Sequence, residues 1–240
     1  MTAAGKSPYG NRVLAGLTAD DLALLRPHLV PIELSMRFKL ETANRSIDHL
    51  YFLEQGVASI VAQAQRGRIQ AEVGMVGRDG FTGVSLLHGS DRSPNDTFMQ
   101  VAGNGHAIEA DKLPALLLQS RTLERRLLLF AHAQSVQAGQ TVVANARGSI
   151  EQRLARWLLM THDRLRVQRF KLTHEFLALL LGVRRPGVTI GLQRLEQQGL
   201  VQTSRGEIML VDRPGLERTA GGLYGVAEAE YERVFGPWPA

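Results

Sequence analysis

The sequence predicts an α+β chain: an N-terminal antiparallel β-roll, one long helix, and a C-terminal winged helix-turn-helix. Three observations predict it. Before residue 112, short extended runs alternate with turn residues. Beyond it, the apolar spacing becomes helical. Leu172–Leu210 then reads as helix, glycine turn, helix and β-ribbon. The expected division is 12–118 for the roll, a sensor domain, 119–146 for a dimerisation helix, 147–214 for the winged helix, and 215–240 for a C-terminal extension.

The roll is read from Ile32–Leu40, Asp48–Leu53, Gly56–Gln63, Ile69–Met75, Thr97–Val101 and His106–Glu109. Turn residues at Thr42–Arg45, Glu54–Gly56, Arg66–Gly67, Gly77–Gly80, Asp91–Asn95 and Gly103–Gly105 separate them. Short strands at this spacing close into rolls or barrels rather than βαβ units. A helix over Thr18–Leu25 precedes them, with Thr18 as N-cap, because a threonine oxygen there accepts from an N–H that the first turn leaves unpaired.

Leu113–Gln119 predicts a short helix with Pro114 in its first turn, where a missing N–H costs nothing. Thr122–Ala144 runs 23 residues without proline, about 34 Å as one helix. Positions 123, 127, 130, 134, 137 and 141 follow a 4–3–4 spacing that begins apolar; a second face passes through Leu129, Ala133, Val136, Gln140 and Val143. Apolar groups on more than one side predict cover by the roll and by a second copy. Leu123, Leu127, Phe130 and Gln134 are the expected dimer interface. Asn145–Gly148 breaks this helix, and Ser149–Leu165 forms the next, burying Ile150, Leu154, Trp157 and Leu158.

In the last structured segment, Thr173 opens a helix that stops at Gly182. A second begins at Arg184-Arg185-Pro186, where proline suits a first helical position, and closes at Gly199. Leu200–Thr203 and Ile208–Val211 alternate as a wing around Arg205. Leu177, Leu180, Val183, Val188, Leu192 and Leu195 can share one core, which leaves Arg184, Arg185, Thr189 and Gln193 facing outward to read bases. Arg185 suits guanine O6/N7, and Thr189 a thymine methyl or a base edge. Thr173 and His174 are placed for phosphate oxygens beside free helix N–H groups, and Arg205 for a flanking phosphate or the minor groove.

Charge agrees. Of the net +5, residues 145–214 carry 12 basic and 6 acidic groups, whereas the chain up to Ala144 has 14 and 13 and Gly215–Ala240 has 2 and 4. A basic unit beside a neutral one suits a reader of polyanions such as double-stranded DNA. The absence of cysteine excludes disulfides, thiolate nucleophiles and cysteine-ligated clusters or zinc sites. The seven histidines show no HxH or HExxH spacing. No Ser-His-Asp arrangement is visible, so neither metal, cofactor nor enzyme activity is expected. The first twenty residues hold Lys6, Arg12, Asp20 and Asp21 without a signal-length apolar core. Leu127–Ala133 and Phe176–Val183 are far short of the roughly 20 residues that span a bilayer. The expectation is a cytoplasmic protein with no membrane partner.

With LYFLEQGVAS at Leu50–Ser59, GRDGFTG at Gly77–Gly83, SIEQRLARW at Ser149–Trp157 and LTHEFLALLLGVRRPGVT at Leu172–Thr189, the chain resembles the Crp/Fnr superfamily of bacterial transcription regulators over nearly its full length. The resemblance implies a homodimer on a palindromic operator, contacts with RNA polymerase, and a small-molecule effector. Nucleotide-binding members grip ribose with a Gly-Glu pair and cyclic phosphate with an Arg-Ser pair. Here the first pair falls on Gly83-Val84, without the carboxylate, and the second on Asn95-Asp96 or, with another gap, on Arg92-Ser93. The adenine-contacting pair falls on Gln134-Ser135. Gly83, Val84, Arg92, Ser93, Asn95, Gln134 and Ser135 are thus the implied effector pocket, for a ligand other than cyclic AMP. The reading is a sequence-specific regulator; the alternative is a ligand-sensing module that acts through protein partners without reading DNA.

Overall fold

The computed structural model describes residues 7–65 and 69–238. Lys6, the expected turn at Arg66–Gly67 and the last two residues of the tail lie outside the described residues. The chain opens with α1 (Arg12–Ala15), not anticipated from the sequence, which Asn11 caps by accepting from Val13 N and Leu14 N at 3.1 Å. In α2 (Ala19–Leu25), Thr18 is the N-cap and accepts from Asp21 N at 3.1 Å.

Seven strands follow: β1 (Val30–Leu34), β2 (Lys39–Glu41), β3 (His49–Leu53), β4 (Val57–Ala64), β5 (Ile69–Val76), β6 (Asp96–Val101) and β7 (Gly103–Glu109). They form two antiparallel sheets, β1-β7-β3 and β2-β6-β4-β5. The single run expected over Ile32–Leu40 is two strands in different sheets. Phe38 N closes a turn on Ser35 O at 3.0 Å, and Arg37 takes a left-handed φ of 67°, so the chain leaves one sheet for the other. Between the sheets lie Leu50, Phe52, Phe81, Met99 and Ile108, all at most 1% exposed.

After α3 (Leu113–Gln119), α4 runs Arg121–Arg147. Asn145–Arg147 thus remain helical, and the break falls at Gly148. Its backbone turns extended there, and a Cβ would sit 2.7 Å from the Ala144 carbonyl oxygen. The orientation of α4 corrects the expected dimer seam. Leu123, Leu127 and Phe130 are 0%, 0% and 2% exposed within the single chain, packed in the roll's own core. The roll needs an apolar lid, and the most apolar stripe of the helix supplies it. Phe130 packs at a tilt against Phe81, ring centroids 4.8 Å apart, and presses so closely on Gly80 that a Cβ there would meet the ring at 1.9 Å. Gln134 is half-buried beside Asp79 and Tyr231.

The C-terminal half contains α5 (Ile150–Leu165), β8 (Arg169–Lys171), α6 (His174–Leu181), α7 (Arg185–Gln197), β9 (Val201–Ser204), β10 (Glu207–Leu210), α8 (Arg213–Ala220) and α9 (Val226–Phe235). β8 and α8 were not anticipated. Ser149 and Gln152 cap the start of α5 reciprocally. Strands order as β8-β10-β9, with Ser204 opposite Glu207 at the wing turn. Leu154, Trp157 and Leu158 of α5 share a core with Leu177, Leu180, Val188, Leu192, Leu195 and Leu216. Each such side chain contributes about 1.5–3 kcal/mol on burial. Val57, Val61 and Met75 of the roll join the same core, so the winged half is docked on β4 and β5.

The tail then crosses back. Tyr231 enters the roll's core, donates to Asp79 O at 2.6 Å, and stacks with Phe235 and Trp238 at 4.7 and 5.0 Å. Arg12 lies over Tyr231 and Trp238, 4.9 and 4.8 Å from the ring centroids.

Candidate nucleic-acid interface

The seat of α7 is set by small residues and leucines. Gly182 ends α6 with φ 60°, and Thr173 begins it by accepting from Phe176 N at 3.2 Å. A left-handed residue at that place costs least as glycine. Arg184 is the extended N-cap of α7, and Pro186 stands in its first turn. One face of α7 buries Val188, Gly191, Leu192 and Leu195. At Gly191 a Cβ would come within 2.6 Å of Leu154 Cδ1, so α7 and α5 approach there more closely than any side chain would allow.

The opposite face is open. Arg184, Arg185, Pro186, Ile190 and Gln193 are exposed, and Arg205 is exposed at the wing turn, where Gly206 has φ 73°. Thr189 is half-buried: it donates to Arg185 O at 3.2 Å and lies 3.0 Å from His174 Nδ1. Candidate residues from both helices therefore form one patch. The Thr173 oxygen accepts the N-cap bond and keeps its proton free to donate. Ile190 is 49% exposed in the middle of this face, where it can meet a thymine methyl.

Other arginines of the basic segment are committed internally. Arg164 pairs with Asp79 at 2.7 Å, both nearly solvent-free. Burial opposes the Arg164 charge most strongly, but Asp79 together with Asp163, Glu228 and Tyr231 outweighs it and holds the guanidinium above its usual pKa. Arg156 Nε donates to Leu223 O at 2.9 Å and its Nη2 to Thr141 Oγ1 at 3.2 Å. Arg213 pairs with Asp163 at 2.7 Å, and Arg194 pairs with Glu151.

Near Arg156 and Arg164 sits Glu72, whose oxygens accept from Trp157 Nε1 at 3.0 Å and pair with Ser59 Oγ at 2.6 Å. Ser59 Oγ is also 2.6 Å from Gln100 Oε1. One hydroxyl proton cannot serve both acceptors. A protonated Glu72 supplies the missing one, as does a Gln100 amide turned nitrogen-inward. Burial pushes the Glu72 carboxyl up to about 7, against the opposing hydrogen bonds and the two arginines.

The residues implied as an effector pocket lie on loops of the roll and on α4. Gly83 is buried with φ 85°, and its N–H goes to Glu41 Oε1 at 2.9 Å; Val84 follows it, half-buried. Arg92 is exposed on its loop and pairs with Asp91 at 3.1 Å. Ser93 is buried and accepts from Asn95 N at 3.1 Å. Gln134 lines a small cavity with Asp79 and Tyr231, whereas Ser135 faces solvent on the far side of α4. That far side is a third 4–3–4 row, Leu128, His132, Ser135, Gly139 and Val142, exposed throughout, with His132 Nε2 2.7 Å from Glu230 Oε1 of α9. A Cβ added at Gly139 would meet nothing within 4 Å. Among the described residues, no group of three or more His, Asp or Glu could hold a metal, and no helix is long and apolar enough to cross a membrane.

A family model described as the Crp-like helix-turn-helix domain matches residues 152–219, a stretch that reaches through α8. No curated protein sequence matches the chain. FixK2 from Bradyrhizobium japonicum superposes with a TM-score of 0.69 at 15% identity, over 81% of this chain and 98% of its own. A CRP-family transcriptional regulator from Thermus thermophilus gives 0.66 at 20%, over 80% and 97%. The c-di-GMP responsive regulator CLP from Xanthomonas campestris gives 0.64 at 17%, over 81% and 100%. Residues 152–219 match the Crp-like helix-turn-helix domain, and the chain as a whole has the fold of these solved structures.

Proposed function

We propose that the chain is a cytoplasmic, homodimeric, sequence-specific transcription regulator that lays α7 in the major groove of a palindromic operator. The observation that carries this reading is the exposed row on α7: Arg184, Arg185 and Gln193 share its outer face, while its inner face is locked into the core. Arg185 then reads guanine O6/N7 and Gln193 reads adenine N6/N7. Thr173, His174 and Arg205 hold phosphates, which position the helix without specifying sequence. The reading assigns no catalytic step, includes RNA polymerase as a partner, and gives cyclic AMP no role, since Val84 offers no carboxylate to ribose.

The dimer in this reading uses the outer row of α4, one step around from the row that lids the roll. Leu128, His132, Ser135, Gly139 and Val142 repeat at the spacing of a two-helix seam. The small Ser135 and Gly139 let two helices approach closely. Two recognition helices should then enter successive major grooves about 34–36 Å apart.

Sedimentation and duplex binding test this together. Wild type should run as a dimer and bind duplex with steep salt dependence. Leu128→Glu with Val142→Glu should give folded monomers that bind far more weakly. Dimers surviving both changes would exclude the seam. A wild-type dimer without salt-dependent duplex binding would exclude DNA reading and favour action through a protein partner.

A further inference from the structure

Between the roll and the winged half lies a cleft of about 710 Å³, a size common for small-molecule sites. One wall is the β3–β4 turn with Arg78; the other is the segment Leu165–Lys171 that leads from α5 through β8. Met36 and Phe170 give it apolar surface, and Arg78, Arg164, Arg169 and Lys171 give it charge. Glu54 is the one acid among its lining residues: Oε2 accepts from Gly10 N at 2.5 Å and Asn11 N at 2.8 Å, while Oε1 is buried without a hydrogen bond, 3.6 Å from His106 Nδ1, so a single carboxylate faces four cations.

The cations are less well served. Arg78 Nε and Arg164 Nε are buried donors without an acceptor, a condition that native structures seldom leave unexplained. Arg169 reaches Glu207 at 3.8 Å and the Met209 sulfur at 3.6 Å, both weak contacts, and Lys171 is exposed. Burial, then the neighbouring charges of Arg166 and Arg12, push the Arg78 guanidinium below its usual pKa. Like charges are crowded at one end of the cleft, and an anion would relieve them.

We propose that this cleft binds a phosphate-bearing small molecule, its phosphates held between Arg78 of the roll and Arg169 and Lys171 of β8, its body against Met36 and Phe170. Guanidinium groups match phosphate geometry in pairs, and several cations around one site favour a multiply charged anion over a carboxylate. Because the walls belong to the two halves of the chain, an occupant ties the roll to the strand that leads into α6. Its occupancy then bears on the orientation of α7. The proposal does not depend on how α7 reads DNA.

Calorimetry of the full chain with adenosine 5′-diphosphate and with inorganic pyrophosphate tests it. The nucleotide should bind saturably, one per chain, and more tightly than pyrophosphate. Arg169→Ala and Lys171→Ala should each weaken it about tenfold, the loss of one charge-assisted hydrogen bond. Lys171→Glu should weaken it further, with unchanged melting of all three variants as the folding control. No saturable heat with either probe would overturn the proposal. So would nucleotide binding that is indifferent to all three variants. If the probes fail to bind and the same variants only flatten the salt dependence of duplex binding, β8 is a DNA phosphate contact and the ligand site is refuted. Duplex binding measured on the wild type separates failure here from failure of the DNA reading.

Discussion

Arginines on α5 and arginines on α7 lie in the same basic segment, yet they do opposite things. Arg156 and Arg164 point inward and cross to other parts of the chain: Arg164 to Asp79 in the roll, Arg156 to Thr141 on α4 and to the Leu223 carbonyl at the start of the tail. Arg184 and Arg185 point outward and leave their donors to something beyond the chain. The difference teaches that a count of charges over a segment overstates the field at its surface. Part of the excess holds the winged half against the roll, and part stays exposed on α7.

The sharpest way to break this division is at its inner member. Arg164→Ala leaves Asp79, 1% exposed, without its counter-ion. Denaturant unfolding should show a loss of about 3–5 kcal/mol. A loss within experimental error would mean that the pair is incidental to the docking. Glu72 beside these arginines gives a somewhat smaller effect with a defined pH signature. Its folded pKa of about 7 lies above the ordinary 4.5, so the folded chain keeps a proton that the unfolded chain releases. Stability should therefore fall as pH rises from about 4.5 to 7 and stay low above that. Glu72→Gln should flatten the profile and stabilise the protein at pH 8 by up to about 3 kcal/mol. Parallel melting profiles at pH 5 and pH 8 would contradict this.

The outer arginines should behave differently. Arg185→Ala should leave folding within about 0.5 kcal/mol, yet cost about 1–3 kcal/mol of discrimination at one symmetric guanine in each half-site. Competition between matched and mismatched duplexes measures it. Arg205→Ala should be the mildest change, weakening all duplexes alike and lowering the salt slope by about one for each phosphate that the arginine neutralises. A change of base preference on losing Arg205 would reverse the roles given to the wing and the helix.

Helix starts and turns were readable because their chemistry is local: Thr18 and Thr173 each accept from an N–H three residues on, and Gly182 supplies the left-handed stop. The core of the winged half was readable because its periodicity admits one inward face. On α4 the same reasoning failed. Three rows satisfy the 4–3–4 spacing, and only the demand of the roll for a lid decides that Leu123, Leu127 and Phe130 turn inward. The small residues Ser135 and Gly139 were the available hint of the outer row. The docking of the tail had no local signal, since Arg12 and Tyr231 meet from opposite ends of the chain. Charge counting missed Asp79 as the partner of Arg164 for the same reason. The resemblance implies Gln134 and Ser135 for one pocket; adjacent helical residues point about 100° apart, and within the single chain Gln134 is half-buried while Ser135 is exposed.

Selection of duplexes from a random library, run in parallel with wild type and Arg185→Ala, tests the central claim most directly. Wild type should enrich a two-fold symmetric site with guanine at one position in each half. The variant should enrich the same site with that position relaxed and the others intact. Enrichment of no motif by wild type, or of an identical motif by both proteins, would contradict the assignment of base reading to the exposed face of α7.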